Sequence, residues 1–169
     1  MREVLLTATF DIDQDSQLLR WSFLADGKPI SGDGVETGLL AFKINDTLNV
    51  QVVANSKNHT LKQVDINSCH IITTPLAFTK RENPERAGEF PDPSPFGDQY
   101  AVIDLGNGTC ENNVEQTRGI WRSKMPLQCD NTGRWELSFI ITTNVTYSNG
   151  KVERRVFEFD PECEVGGGL

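Results

Sequence analysis

The segment from Gly133 to Pro161 constrains the fold more tightly than any other part of the chain. Trp135, Leu137, Phe139, Ile141, Thr143, Val145 and Tyr147 recur at every second position, and Arg134, Glu136, Ser138, Thr142 and Asn144 fill the alternate ones. A period of two places the first set on one face of a strand and the second on the other, so one face is built for burial and the other for water. Ile140 is the one strongly apolar residue on the polar face. Ser148-Asn149-Gly150 then supplies a turn, because Asn-Gly tolerates the positive φ that a tight hairpin requires. Val152 to Phe159 returns. The segment predicts a long C-terminal β-hairpin in an all-β protein.

The same alternation recurs upstream. Val4, Leu6, Ala8, Phe10 and Ile12 predict a first strand, and Leu19, Trp21 and Phe23 a short second one. Leu40, Phe42 and Ile44, then Leu48, Val50 and Val52, predict a third and a fourth about a turn at Asn45-Asp46. Val64 to Ile72 and Tyr100 to Leu105 add two more, and Ile120 to Leu127 reads as a strand interrupted at Pro126. Ser31 to Gly34 reads as a flexible loop, and the polar run from Cys110 to Arg118 as a loop or one helical turn. Thr79 to Gln99 holds Pro84, Pro91, Pro93 and Pro95 without a periodic pattern, and reads as a solvated excursion. Frequent Gly, Asn, Asp and Pro between short strands predict a single-domain, two-sheet antiparallel β-sandwich of about seven to nine strands. A closed barrel is the alternative. The domain is expected to span residues 1–165, with a glycine-rich tail at 166–169.

Composition removes several functions. The net charge of -8 opposes binding to nucleic acid, whose phosphates require a basic face, and docking on anionic membranes. No apolar run is long enough to span a bilayer. The opening Met1-Arg-Glu-Val-Leu-Leu-Thr7 is too short in its apolar part for a secretory signal and reads as a strand, so a cytoplasmic location is expected. Cys69, Cys110, Cys129 and Cys163 allow two disulfides in three pairings, but none belongs to a Cys-x-x-Cys motif, and free thiols are the expectation without a signal. Asn-x-Ser/Thr sequons at Asn45, Asn58, Asn107 and Asn144 acquire meaning only in a eukaryotic secretory pathway.

Catalytic patterns are sparse. His59 sits in a polar turn, and His70 follows Cys69 in an apolar strand, where adjacent side chains point to opposite faces and cannot form a thiolate couple. There is no Gly-x-Ser-x-Gly elbow, and the glycines Gly32, Gly34 and Gly38 lack dinucleotide spacing. Asp11, Asp13 and Asp15 resemble the first half of a calcium loop, but Ser16 replaces its turn glycine and Ser22 its bidentate glutamate. No catalytic, cofactor-binding or metal-ligating residue is assigned. Trp121, Tyr100 and Phe96 near predicted loops are the candidates for a ligand or partner surface, where the apolar face of a sugar could stack.

Ile30 to Val50, a Gly-rich loop leading through a strand, an Asp-containing turn and another strand, resembles the central part of the PixA/AidA inclusion-body proteins of bacteria. Val156-Phe-Glu-Phe-Asp-Pro161 is similar to the closing strand of that family, although Glu162-Cys163-Glu164 then departs from its apolar continuation. The resemblance implies an all-β, non-enzymatic, cytoplasmic protein that accumulates or self-associates. The expected function is therefore that of a non-catalytic β-sandwich acting as a homo-oligomer or through a protein partner. A small-molecule or glycan-binding module is the first alternative, and a hydrolase with paired carboxylates the second.

Overall fold

The structure is a computed structural model that describes residues 1–30, 39–97 and 100–166. The described residues form strands and turns. The strands are β1 (Glu3–Asp11), β2 (Arg20–Ala25), β3 (Lys28–Pro29), β4 (Leu39–Phe42), β5 (Thr47–Asn55), β6 (Leu61–Leu76) and β7 (Val102–Asp104). They continue as β8 (Thr109–Asn112), β9 (Arg118–Arg122), β10 (Leu127–Gln128), β11 (Gly133–Tyr147), β12 (Val152–Phe159) and β13 (Glu162–Val165). The first sheet runs β3-β2-β1-β5-β9-β8, with β10 also pairing β5. The second runs β4-β13-β11-β6-β7, with β12 pairing β11 farther along the same edge as β13. The loop expected at 31–34 and the tail at 167–169 lie outside the described residues.

Two expectations are corrected. The sheets are mixed, because β1 pairs β5 in parallel and β13 pairs β4 in parallel. After β3 the chain crosses to the second sheet as β4 and returns as β5, and such a crossover delivers a strand in the same direction as the one it joins. The strand count also exceeds the expected range, because β3, β4, β7, β8, β10 and β13 have two to four residues each. Such segments are too short for a period of two to show. Cys110 to Asn112, read as a loop or helical turn, belongs to edge strand β8.

The hairpin folds as its alternation dictates. Trp135, Leu137, Phe139, Ile141, Thr143 and Val145 are buried, and the β12 residues Phe157 and Phe159 face the same core. One apolar cluster joins these side chains to Val4, Leu6, Ala8, Phe10 and Ile12 of the first sheet and its border. Phe10 stacks on Phe157 across the two sheets with ring centroids 4.2 Å apart. Shared burial of two apolar faces is compatible with a sandwich.

The sheets also touch at their borders. Leu18 bridges Glu158 in parallel, with Leu19 N donating to Glu158 O at 3.1 Å and Glu158 N to Gln17 O at 3.1 Å. Elsewhere, where β6 extends beyond β7, side chains of β8 take the place of a neighbouring strand. Asn112 Oδ1 accepts from Val64 N at 3.2 Å, and Cys110 Sγ donates to Val64 O at 3.0 Å.

The proline-rich segment divides in two. Residues 78–89 close on themselves, since Phe78 N donates to Glu89 O and Gly88 N to Phe78 O. Residues 91–96 are sewn onto the second sheet rather than solvated. Trp135 Nε1 donates to Asp92 O at 2.7 Å, Thr73 Oγ1 to Pro93 O at 2.6 Å and Asn131 Nδ2 to Ser94 O at 2.9 Å. Proline suits this role, because its fixed φ holds an extended path and its missing N–H leaves no donor to satisfy.

Candidate functional site

The three aromatics expected at a binding surface do not form one. Trp121 is 2% exposed and Phe96 8% exposed, both within the core cluster, and only Tyr100 stands out at 69%. Trp121 is interior because β9 pairs β5 and turns that side chain inward against Gly108. Phe96 is interior because the four residues before it, Asp92 to Pro95, are each tied down through their carbonyls. A sugar platform of the expected composition is thereby removed.

The side chains of catalytic type are dispersed. Cys69 points into the core, and His70 points out, where its Nε2 lies 3.9 Å from Asp104 Oδ1. His59 occupies a positive-φ turn with Nδ1 3.1 Å from Glu115 O. Asp11 Oδ1 accepts from Asp13 N at 3.0 Å, an Asx turn, while Lys57 Nζ approaches its other oxygen at 3.8 Å. Among the described residues no group of three His, Cys, Asp or Glu side chains could hold a metal ion. All four cysteines are free. Burial pushes the thiols of Cys69 and Cys163 far up, and that of Cys129 up to about 12. Burial, followed by the charges of Asp65 and Glu111, also raises Cys110. These environments disfavour thiolates and so disfavour nucleophilic chemistry.

A recess of about 150 Å³ lies where the proline-rich loop meets β11 and β13, between Phe78, Glu82, Thr132, Arg134, Glu164 and Val165. Arg134 spans it as a clasp, with Glu162 at 2.6 Å on one terminal nitrogen and Glu82 at 3.4 Å on the other. Thr79 and Glu82 cap each other's backbone N–H, as in a capping box, and this presents the Glu82 carboxylate to Arg134. The Thr79 N–H is the main cause holding Glu82 below the usual carboxylate range, with Arg134 adding to it. The bond that Arg134 donates to Glu162 raises the guanidinium further above its already high value. The clasp fastens the loop to the second sheet.

The outer face of the second sheet is different in kind. Registers place Val156 opposite Thr142, Ile140 opposite His70, and Ile72 opposite both Ser138 and Val102. Val156, Ile140, Ile72 and Val102 therefore run obliquely across β12, β11, β6 and β7, each the diagonal or direct neighbour of the next. Leu18, bridged to Glu158, and Val152 lie on the same side. Leu18, Val102, Val152 and Val156 are exposed, whereas the other exposed large apolar residues described lie in loops or at Met1. Ser68 and Thr142 join side chains within this face. Ile140 was visible as an exception in the sequence. Its neighbour Val156 alternates with Arg154 and Glu158 on the outer side of β12 and looks solvent-facing, so only the strand register unites the two.

No protein-family model matches the chain, and no curated protein does either. The fold and its faces define an all-β protein of two mixed sheets. Among the described residues no helix is long and apolar enough to cross a membrane.

Proposed function

We propose that the protein is a non-catalytic β-sandwich that acts by self-association through the outer face of its second sheet. The observation that carries this reading is the oblique apolar run of Val156, Ile140, Ile72 and Val102 across four strands. Scattered exposed apolar side chains are ordinary on a monomer, but their collection on one sheet face is the mark of a contact surface. The resemblance of Ile30 to Val50 and Val156 to Pro161 to the PixA/AidA inclusion-body proteins, which implies a protein that accumulates or self-associates, is in keeping with the same reading.

Sedimentation velocity over a wide concentration range tests it. The expected result is a closed oligomer that dissociates on dilution, and an Ile140→Glu variant that sediments as a monomer with an unchanged circular dichroism spectrum. A wild-type chain that remains monomeric at the highest attainable concentration would sink the proposal.

A further inference from the structure

We infer that the occupant of this face is a second copy of the same chain, related by a two-fold axis that runs along β11. The inference rests on the self-association proposed above and adds the partner's orientation.

The argument comes from charge placed symmetrically about one strand. Asn144 of β11 is in register with Arg154 of β12 on one side and with Asp65 of β6 on the other. Four residues away, Ile140 is in register with Glu158 on the β12 side and His70 on the β6 side. Neighbouring strands are about 4.8 Å apart, so each member of a flanking pair lies at about the same distance from β11. Arg154 and Glu158 are exposed, and neither side chain forms an ion pair among the described residues. Asp65 is half-buried, and among the described residues its carboxylate accepts only from Gln63 Nε2, at 2.7 Å.

A two-fold axis lying in the face and parallel to β11 exchanges the two flanks. It sets Arg154 of one copy against Asp65 of the other, twice, and Glu158 against the ring N–H of His70, twice. Ile140 then meets its own equivalent on the axis, and Val156 lies over Ser68. An isologous contact must be self-complementary in this way. An axis perpendicular to β11 through Ile140 would instead set Glu158 against Glu158 and Asp104 against Asp104, both in the row of Ile140 and both like-charge contacts. The axis along β11 sets Glu136 against Glu136 four residues from Ile140, and the Arg134 side chains it brings together are already paired with Glu82 and Glu162. An intrachain role for Arg154 and Asp65 would leave their placement on opposite sides of an uncharged central residue without consequence.

Charge reversal with mixing is the test, read by sedimentation velocity of full-length chains. Arg154→Glu alone and Asp65→Lys alone are each expected to weaken the dimer about tenfold or more, since each creates two repulsive contacts. Mixed together, the two variants restore both contacts in a heterodimer and return the affinity to near wild type. The double variant in one chain does the same as a homodimer. A wild-type dimer whose affinity is unmoved by either reversal, or a mixture no tighter than its components, overturns the two-fold along β11 while leaving self-association standing. A wild-type monomer overturns both. Unchanged circular dichroism and thermal midpoints in the single variants keep a folding defect from imitating the expected loss.

Discussion

The indole N–H of Trp135 donates to the backbone carbonyl of Asp92 at 2.7 Å, joining the largest fully buried side chain of the core to a proline-rich segment 43 residues away in sequence. This bond fixes residues 91–96 across one end of the second sheet. Trp135→Phe keeps most of the apolar volume and deletes the donor. The expected loss is about 1–2 kcal/mol in urea unfolding, with no change in slope. Limited proteolysis should then gain a cleavage site between residues 91 and 96. A variant as resistant as wild type would show that the segment is held without Trp135.

Asp46 has a carboxylate that gathers three donors from two residues, Arg2 at the start of the chain and Lys43 in its own turn. Its side chain is 3% exposed and accepts from Arg2 N at 2.9 Å, Arg2 Nε at 3.2 Å and Lys43 N at 3.0 Å. Asp46→Ala leaves two backbone donors and a guanidinium without their acceptor, and is expected to cost about 3 kcal/mol. Arg2→Ala removes a side chain one-third exposed and should cost about 1 kcal/mol or less. Equal losses in the two variants, measured by chemical denaturation, would contradict this assignment.

Gly108 lies against the Trp121 ring. A Cβ there would stand 2.2 Å from Trp121 Cε2 and 2.2 Å from the Arg122 carbonyl oxygen, one a packed ring and the other backbone. Gly108→Ala should therefore destabilise by about 2–3 kcal/mol and shift the near-ultraviolet signal of Trp121. Gly27→Ala is the comparison for positive φ without crowding, since nothing lies within 4 Å of its Cβ position. A smaller loss at position 108 than at 27 would refute the packing argument.

The thiols make stability fall at alkaline pH. Burial raises Cys129 from an ordinary 9.0 up to about 12, so the unfolded chain loses this proton first. The stabilisation is complete below pH 9 and is lost as pH rises toward about 12, because over that interval the folded state binds more protons. Cys69 and Cys163 shift in the same direction. With a chromogenic disulfide reagent at pH 8, the folded chain should release a signal from Cys110 alone, slowly and faster as pH increases. All four thiols should react in denaturant. Rapid modification of Cys69, Cys129 or Cys163 in the folded chain would show that the core opens more readily than its packing implies.

Both sheets were legible wherever a strand was long enough to alternate. Trp135 to Val145 and Val4 to Ile12 announce their buried faces one residue at a time, and the structure buries those residues. The parallel pairings of β1 with β5 and of β4 with β13 were not legible, because alternation reports which side of a strand is buried and carries no information about its neighbour's direction. Trp121 and Phe96 were misplaced for a related reason. Each lies beside turn-forming residues, and what buries it is a distant segment: the glycine at 108 for one, and the bonds from Thr73, Asn131 and Trp135 for the other. The oblique apolar run depended on three registers at once, of which the sequence displays only the Ile140 exception.

β6 spans 16 residues, yet β7 pairs with only three of them, and its long partner β11 begins at Gly133. During synthesis the ribosome makes the edge well before it makes the strand that covers it. A chain interrupted anywhere between residues 77 and 132 leaves that edge open to any extended peptide nearby. Completion of β11, rather than emergence of the first sheet, is then the moment at which that edge is closed to other chains.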